Sequence, residues 1–411
     1  MTTFVVIVFA LVYLGMILGG LPFLQLDRTG VVLLGAIALV ATEAVPMDQV
    51  WQAVDLPTLI LLFAFMVISA QLRLGGFYGW VVGRLGQLEL TPPLLLGALV
   101  LLAAGLAAVF SNDIVCLAMA PVLTEICLGR RLDPVPHLLG LACAANVGSA
   151  ATLIGNPQNM LIGERLGMSF ADHLLTAALP VMLGLVVTWC VIVLLTRGRW
   201  SAPESQPVAQ PDGRQPEPWP ALDRWQSLKG LGIAALLCLA FLLVDWPRAL
   251  MALAGAALLL TSRRLHSRRM LGLVDWQLLV LFVGLFLVNH ALEQTGLPVR
   301  AVSDLAAAGL DLQAPLPLFV TSVLLSNLVS NVPAVMLLLP VAHGTDSGTL
   351  LALSSTLAGN LFIVGSIANI IVVETAERRG IRIDWRTHAR VGVPVTLATL
   401  AISAGTLGIL G

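Results

Sequence analysis

Long apolar runs follow one another almost from end to end of this chain, beginning with Phe4–Phe23, Val31–Val45 and Leu56–Leu72. Crossing the hydrocarbon of a bilayer takes about 20 mostly apolar residues, and lipid offers no water to unpaired backbone groups. The spans must therefore be helices that satisfy their own N–H and C=O groups. Composition agrees: 58% of the 411 residues are hydrophobic and only 11% charged, with a mean hydropathy of +0.94, whereas a soluble chain carries about 25% charged residues. The chain reads as an all-α polytopic membrane protein, set in an inner or plasma membrane. A net charge of −1 says nothing about partners, and no nucleic acid is expected among them. The five cysteines, Cys116, Cys127, Cys143, Cys190 and Cys238, all lie in apolar runs without zinc or haem spacing, and read as small buried hydrophobes.

Two polar interruptions organise what lies between. In FSNDIVCLAMAP, Phe110–Pro121, the polar residues Ser111, Asn112 and Asp113 sit between two apolar runs. A straight helix over 92–128 would be about 55 Å long at ~1.5 Å per residue, against a core of roughly 30 Å. The helix must break, and the break belongs at Ser111–Asp113. VSNVPAVMLLLP, Val329–Pro340, repeats the layout: Ser330 and Asn331 follow an apolar run, and Pro340 trails Asn331 as Pro121 trails Asn112.

Other features recur in the same order. Val54-Asp55 is matched by Val274-Asp275 and Gly76 by Gly296, while Gly155, Asn159 and Glu164 share a spacing with Gly365, Asn369 and Glu374. The expected fold is two inverted repeats of about five transmembrane helices, each with a re-entrant helical hairpin and a broken helix. Residues 1–196 form the first repeat, with a cytoplasm-facing hairpin over 92–128. Residues 227–411 form the second, with an exterior-facing hairpin over 314–343. Between them, 197–226 is a Pro-rich cytoplasmic linker whose prolines run from Pro203 to Pro220. Gly75–Leu90, with Trp80 and Arg84, suits an interfacial amphipathic helix. The first run has no preceding Lys or Arg and no small-residue cleavage site, so it reads as a span rather than a secretory leader.

Charge orients this arrangement. If each hairpin enters and leaves on one face, all of the 22 Lys and Arg residues except Arg165, Arg248 and Arg300 share one side. The positive-inside rule makes that side cytoplasmic, with both termini extracytoplasmic.

SNDIVCLAMAP, ATLIGNPQN and SNLVSNVPAV resemble the signature stretches of the ion transporter superfamily, over nearly the whole chain apart from the linker. That superfamily groups divalent anion/sodium symporters, arsenite permeases, sodium/proton antiporters of the NhaD type and the melanosomal P protein. The Ser-Asn-Asp tip and the Gly-Asn-Pro-Gln-Asn break look closest to the arsenite permease and related anion-permease branch. The dicarboxylate branch typically carries Ser-Asn-Thr at both tips, where this chain has Asp113 and Val332.

The resemblance implies a secondary active transporter for a small anion, such as an arsenite- or antimonite-like oxyanion, coupled to a proton or sodium gradient by alternating access. Alternatives within the superfamily are a sodium/proton antiporter and a sodium-coupled dicarboxylate symporter; outside it, a membrane scaffold subunit. HExxH, GxSxG and P-loop patterns are absent, so no enzyme is expected.

Binding is expected at four breaks: Ser111, Asn112 and Asp113 with Thr152, Gly155, Asn156 and Asn159 in one half, Ser330 and Asn331 with Gly365, Ser366 and Asn369 in the other. Helix N-termini at such breaks favour an anion. Amides and released carbonyls at Asn112, Asn159, Asn331 and Asn369 suit Na⁺ as the coupling ion; Asp113, an ionisable group at membrane depth, suits H⁺. No other cofactor and no metal is expected. The partners are a small anionic or oxyanion solute and the lipid bilayer, with a homodimer left open. Against these stand plainer readings: Ser111, Asn112, Ser330 and Asn331 as helix caps, Glu125 as structural, Glu164 and Glu374 as solvated helix ends, and Cys116 as inert.

Overall fold

The computed structural model describes residues 1–21, 25–201 and 220–409. Most of the Pro-rich linker, 202–219, and the C-terminal Gly411 lie outside the described residues. The first apolar run forms α1 (Thr2–Leu18), ended by Gly19 in the left-handed region. A short antiparallel pair, β1 (Gly20–Leu21) and β2 (Leu26–Asp27), departs from the all-helical expectation. Asp27 then caps α2 (Arg28–Ala41) by accepting from the Gly30 amide. That helix stops short of its apolar run, where the Thr42 hydroxyl donates to the Ala38 carbonyl at 2.8 Å. A single turn, α3 (Val50–Ala53), leads into α4 (Leu56–Leu74), and α5 (Phe77–Gln87) follows. The last packs Phe77, Tyr78, Val82 and Leu85 inward and leaves Trp80 exposed, as an amphipathic segment should.

α6 (Pro92–Phe110) and α7 (Asn112–Gly129) meet at Ser111. The guanidinium of Arg130, just past α7, donates to the carbonyls of Leu88 and Leu90 at 3.2 and 3.1 Å, just before α6. The far end of α7 thus returns to the near end of α6, and the pair is a hairpin. α8 (Pro134–Ser149) and α9 (Pro157–Arg165) are one interrupted helix, and α10 (Phe170–Thr196) closes the half.

The second half runs α11 (Arg224–Leu243), α12 (Arg248–Leu260), α13 (Ser267–Leu271), α14 (Trp276–Gln294) and α15 (Leu297–Ala307). The second tip joins α16 (Pro315–Val329) to α17 (Asn331–Leu338), which ends in a 3₁₀ turn at Leu339–Val341. Pro340 therefore closes its helix, whereas Pro121 lies inside α7. α18 (Gly344–Ala358) and α19 (Ile367–Glu377) form the second interrupted helix, and α20 (Trp385–Thr406) comes last. Among the described residues, seven helices are long and apolar enough to cross a membrane: α4, α6, α7, α10, α11, α14 and α20. The chain is a multi-pass membrane protein.

Matched positions share local geometry. Asp55 and Asp275 each cap a helix by accepting the amide three residues on, at 3.0 and 2.9 Å. Gly76 and Gly296 both have φ of +70°, which glycine adopts without the Cβ penalty. Ser111 and Ser330, neither of them glycine, have φ of +67° and +79°.

The helices pack in two groups. One joins α1, α2, α4, α11, α12 and α14, with α4 on α12 and α2 on α14, so each half contributes to both pairs. The other joins the hairpins and interrupted helices with α10 and α20: α6 on α8, α16 on α18, α7 on α19, α10 on α20. Polar contacts sort the helix ends into two sets as well. The Leu88–Leu90 carbonyls and Arg130 lie with Trp200, whose carbonyl accepts from the Asp133 amide, and Gly75 lies with Asp223 and Ser227. In the other set, Arg165 pairs with Asp55, Arg248 with Glu164, and Gln294 with Gln49.

Candidate functional site

The two interruptions share one side-chain contact pattern. In the first, the Asn159 amide nitrogen donates to the carbonyls of Ser149 and Thr152 at 3.4 and 3.0 Å. In the second, the Asn369 amide nitrogen donates to those of Gly359 and Phe362 at 2.8 and 3.1 Å. Ser149 with Gly359 and Thr152 with Phe362 have the separation of Asn159 with Asn369, so one bonding pattern occurs twice. Ser149 and Gly359 stand where a helix ends and leaves its carbonyls open, and buried ones need a partner; Thr152 and Phe362 belong to the loops just beyond. Asn156 adds a cap, its side chain accepting from the Asn159 amide at 2.9 Å. Gly155 is required here for space, since a Cβ would fall 2.2 Å from the Ser149 carbonyl oxygen.

Each interruption is also tied to the other half. Asn146 of α8 donates to the side-chain oxygens of Asn360 and Asn369 at 2.8 and 3.0 Å. Thr356, its counterpart on α18, donates to Asn159 at 3.3 Å. Asn146 is the hub, because its own oxygen accepts from Asn112 at 2.8 Å and from Ser366 at 2.9 Å. Asn156 joins through its nitrogen to Ser149 and Thr356 at 3.0 and 3.1 Å. The Asn331 amide faces only acceptors on its inner side, which assigns its nitrogen there, within reach of the carbonyls of Ser355 and Gly365 at 3.1 and 3.3 Å. Thr152 gives its hydroxyl to the Ala108 carbonyl of α6.

The structure therefore gathers Asn112, Thr152, Gly155, Asn156, Asn159, Asn331, Gly365, Ser366 and Asn369 into one buried core of polar contacts. It does not place Asn112 and Asn331 side by side as two walls of one cavity: each holds its own tip against an interruption. Neither Ser111 nor Ser330 makes a side-chain capping bond, and both hold positive φ, a conformation costing about 1–3 kcal/mol in a non-glycine residue. Sequence reasoning missed Asn146, Ser149, Thr356 and Asn360. The signal was present for Asn146, an amide alone in the apolar stretch HLLGLACAANVG.

Two cavities flank this core where the two helix groups meet. One, about 90 Å³, is lined by Ser69 and Arg73 of α4, Ser111 and Asp113 at the first tip, and Asp275. Asp113 faces the Ala368 amide at the start of α19, and its buried Oδ1 has no hydrogen-bond partner among the described residues. The other, about 320 Å³, is lined by Gln52, Arg165, Asn289, His290, Glu293 and Met336. These cavities are counterparts: Asn289, His290 and Glu293 stand to Ser69, Ala70 and Arg73 as Asp275 stands to Asp55, and Met336 stands to Leu117 as Asn331 stands to Asn112. Ser330 lines neither of them.

Residues 4–350 match the family model described as citrate transporter. The chain belongs to the citrate transporter family. Among its relatives are the inner membrane protein YbiR of Escherichia coli, 32% identical over 82% of this chain and 83% of that one, and the silicon efflux transporter LSI3 of Oryza sativa, 29% identical over 94% and 93%. A 46 kDa membrane protein of Mycobacterium leprae is 28% identical over 92% and 93%. The crystal structure of the Alcanivorax borkumensis YdaH transporter shares the fold, with a TM-score of 0.55 at 15% identity, covering 99% of this chain and 97% of that one. The family is one of membrane transporters rather than enzymes, and the Oryza sativa relative is named for silicon efflux.

Proposed function

We propose that this family member is a secondary active transporter for a small oxyacid, carried as the neutral acid or the monoanion, and that the two cavities are its access routes from opposite faces. The observation that carries this reading is the pairing of the cavities. They are counterparts in the internal repeat, flank one polar core, lie between the same two helix groups, and differ in volume. If the halves are inverted, as the placement of all Lys and Arg but Arg165, Arg248 and Arg300 supports, the larger cavity opens outside and the smaller inside. Exchange of their shapes by movement of one helix group against the other is alternating access.

Electrostatics narrows the solute. The smaller cavity brings two carboxylates, Asp113 and Asp275, against one cation, Arg73, which disfavours a polyanion such as citrate. Its volume of about 90 Å³ suits a solute of few heavy atoms. An arsenite- or silicate-like acid meets both conditions, and the silicon transporter among the relatives favours the same class.

A pair of ion contacts supports the inequality of the two sides. Arg248 pairs with Glu164 at 2.9 Å and donates to the Gly163 carbonyl at 2.8 Å. The counterparts are Arg28 and Glu374; among the described residues no ion pair joins them, and Glu374 lies 4.0 Å from Arg378. On this reading the opposite-facing state breaks Arg248–Glu164 and forms Arg28–Glu374. Cysteines placed at 28 and 374 should crosslink only in molecules whose 164 and 248 cysteines do not. Simultaneous crosslinking of both pairs in one molecule would rule the exchange out.

The function itself is tested by flux in proteoliposomes under imposed pH and sodium gradients, offering orthosilicate, arsenite and citrate. Gradient-driven accumulation of a weak acid but not of citrate is expected. Absence of driven flux for all of them would leave the scaffold reading in its place.

A further inference from the structure

Two buried histidines belong to neither cavity and to no part of the polar core described above. His173 lies four residues after Ser169, the N-cap of α10, and His388 four residues after Asp384, the N-cap of α20. Nε2 of His173 is 3.2 Å from the Ala150 carbonyl oxygen, and Nε2 of His388 is 3.1 Å from the Asn360 carbonyl oxygen. Ala150 and Asn360 have the separation of Gly155 and Gly365. The same contact is thus made twice, by corresponding helices, on corresponding carbonyls of the two interruptions.

A carbonyl only accepts, so in both contacts Nε2 carries the proton. Nδ1 of His173 then accepts from the Thr349 hydroxyl at 3.3 Å, while Nδ1 of His388 is buried without a partner among the described residues. The seat of the Asn360 carbonyl is shaped further by Gly392, one turn along α20, where a Cβ would lie 2.3 Å from that oxygen. Both carbonyls lie just beyond the last turn of an interrupted helix, where no intrahelical donor remains.

We infer that His173 and His388 are positioning residues that fix the two interruptions to a common support, the packed pair α10 and α20. The consequence reaches the polar core through Asn360, since the residue whose carbonyl His388 holds also presents its side-chain oxygen to Asn146 at 2.8 Å. Through these two donors, the chain just past the ends of α8 and α18 is held in place while the other helix group moves past it. The role attached to the clamp rests on the transporter reading; the clamp itself does not.

The test uses the full-length protein in liposomes and reads amide hydrogen exchange over 148–160 and 358–370 in D₂O, which needs no solute. Glutamine can place an amide N–H near the Nε2 position, asparagine places it near Nδ1, and leucine supplies no donor. His388→Leu and His388→Asn should speed exchange over 358–370 by roughly fivefold, the worth of about one net hydrogen bond, and His388→Gln should restore the wild-type rate. His173→Leu and His173→Gln should do the same over 148–160. Unchanged exchange in the leucine variants, or failure of glutamine to outperform asparagine, would overturn the clamp. If His388→Leu does not fold, the glutamine-to-asparagine comparison decides alone. An intact clamp in a protein that drives no flux would count against the transporter reading and not against the clamp.

Discussion

Asp113→Asn is expected to abolish accumulation against a gradient while leaving downhill exchange of solute in place. Asp113 is the acidic residue of the first tip, and the corresponding residue of the second is Val332, so the repeat supplies no substitute. Its Oδ1 is buried and without a hydrogen-bond partner among the described residues, in a cavity it shares with Asp275. Arg73 on the same cavity can balance only one of the two carboxylates, which gives a mobile positive charge a reason to bind there. Asparagine keeps the size and the amide contact at α19 but removes that charge. A one-unit pH gradient is worth about 1.4 kcal/mol per proton, enough for roughly tenfold accumulation by the wild type at one proton per solute. The variant should show none, with equilibrium exchange within a few-fold of wild type. Accumulation by Asp113→Asn that stays pH-driven at the wild-type rate would remove Asp113 from the mechanism, and sodium held by carbonyls and amides at Asn159 and Asn369 would become the better reading.

The second large effect belongs to Asn146. Its side chain makes four hydrogen bonds, to Asn112, Ser366, Asn360 and Asn369, and it is 1% exposed. Asn146→Ala leaves all four partners without it, in a place water does not reach. Interhelical hydrogen bonds in membranes average only ~0.6 kcal/mol by double-mutant cycles, but a buried group left unsatisfied costs about 1–3 kcal/mol. The expected loss is therefore about 2–4 kcal/mol, read as a lower midpoint of thermal unfolding in detergent, together with loss of flux of at least tenfold in whatever protein survives. Thr356→Ala, its counterpart with fewer partners, should cost less in both measurements. An Asn146→Ala protein as stable as wild type, with normal flux, would show that the core is held by the carbonyl contacts of Asn159 and Asn369 alone.

Much of this molecule is legible in its sequence. The apolar runs require helices, because lipid accepts no unpaired backbone, and the 92–128 run requires a break because no bilayer is that thick. The structure puts that break at Ser111, between α6 and α7. The recurrence of Asp55 in Asp275, Gly76 in Gly296 and Asn159 in Asn369 is visible in spacing alone. In the structure Asp55 and Asp275 form the same cap and Gly76 and Gly296 the same left-handed turn, since caps and left-handed glycines depend on only a few neighbouring residues.

Sequence alone does not say which polar group meets which. An amide inside an apolar run must find a partner, but its identity is decided by how helices cross. Asn146 reaches Asn369 across 223 positions and Asn156 reaches Thr356 across 200. Such choices depend on side-chain direction and crossing geometry, which no local period encodes. For the same reason Asn112 and Asn331, which the sequence pattern assigns to one solute site, secure their own tips, Glu164, whose plainer reading is a solvated helix end, pairs with Arg248, and His173 and His388 carry no signal in the sequence. The sequence by itself determined the helices, their breaks and their duplication, because backbone satisfaction in lipid is settled within a few turns of chain. The pairing of the polar core, the two unequal cavities and the histidine contacts were decided only by tertiary structure, because a buried hydrogen bond forms with whichever donor the packing of distant helices brings within about 3 Å.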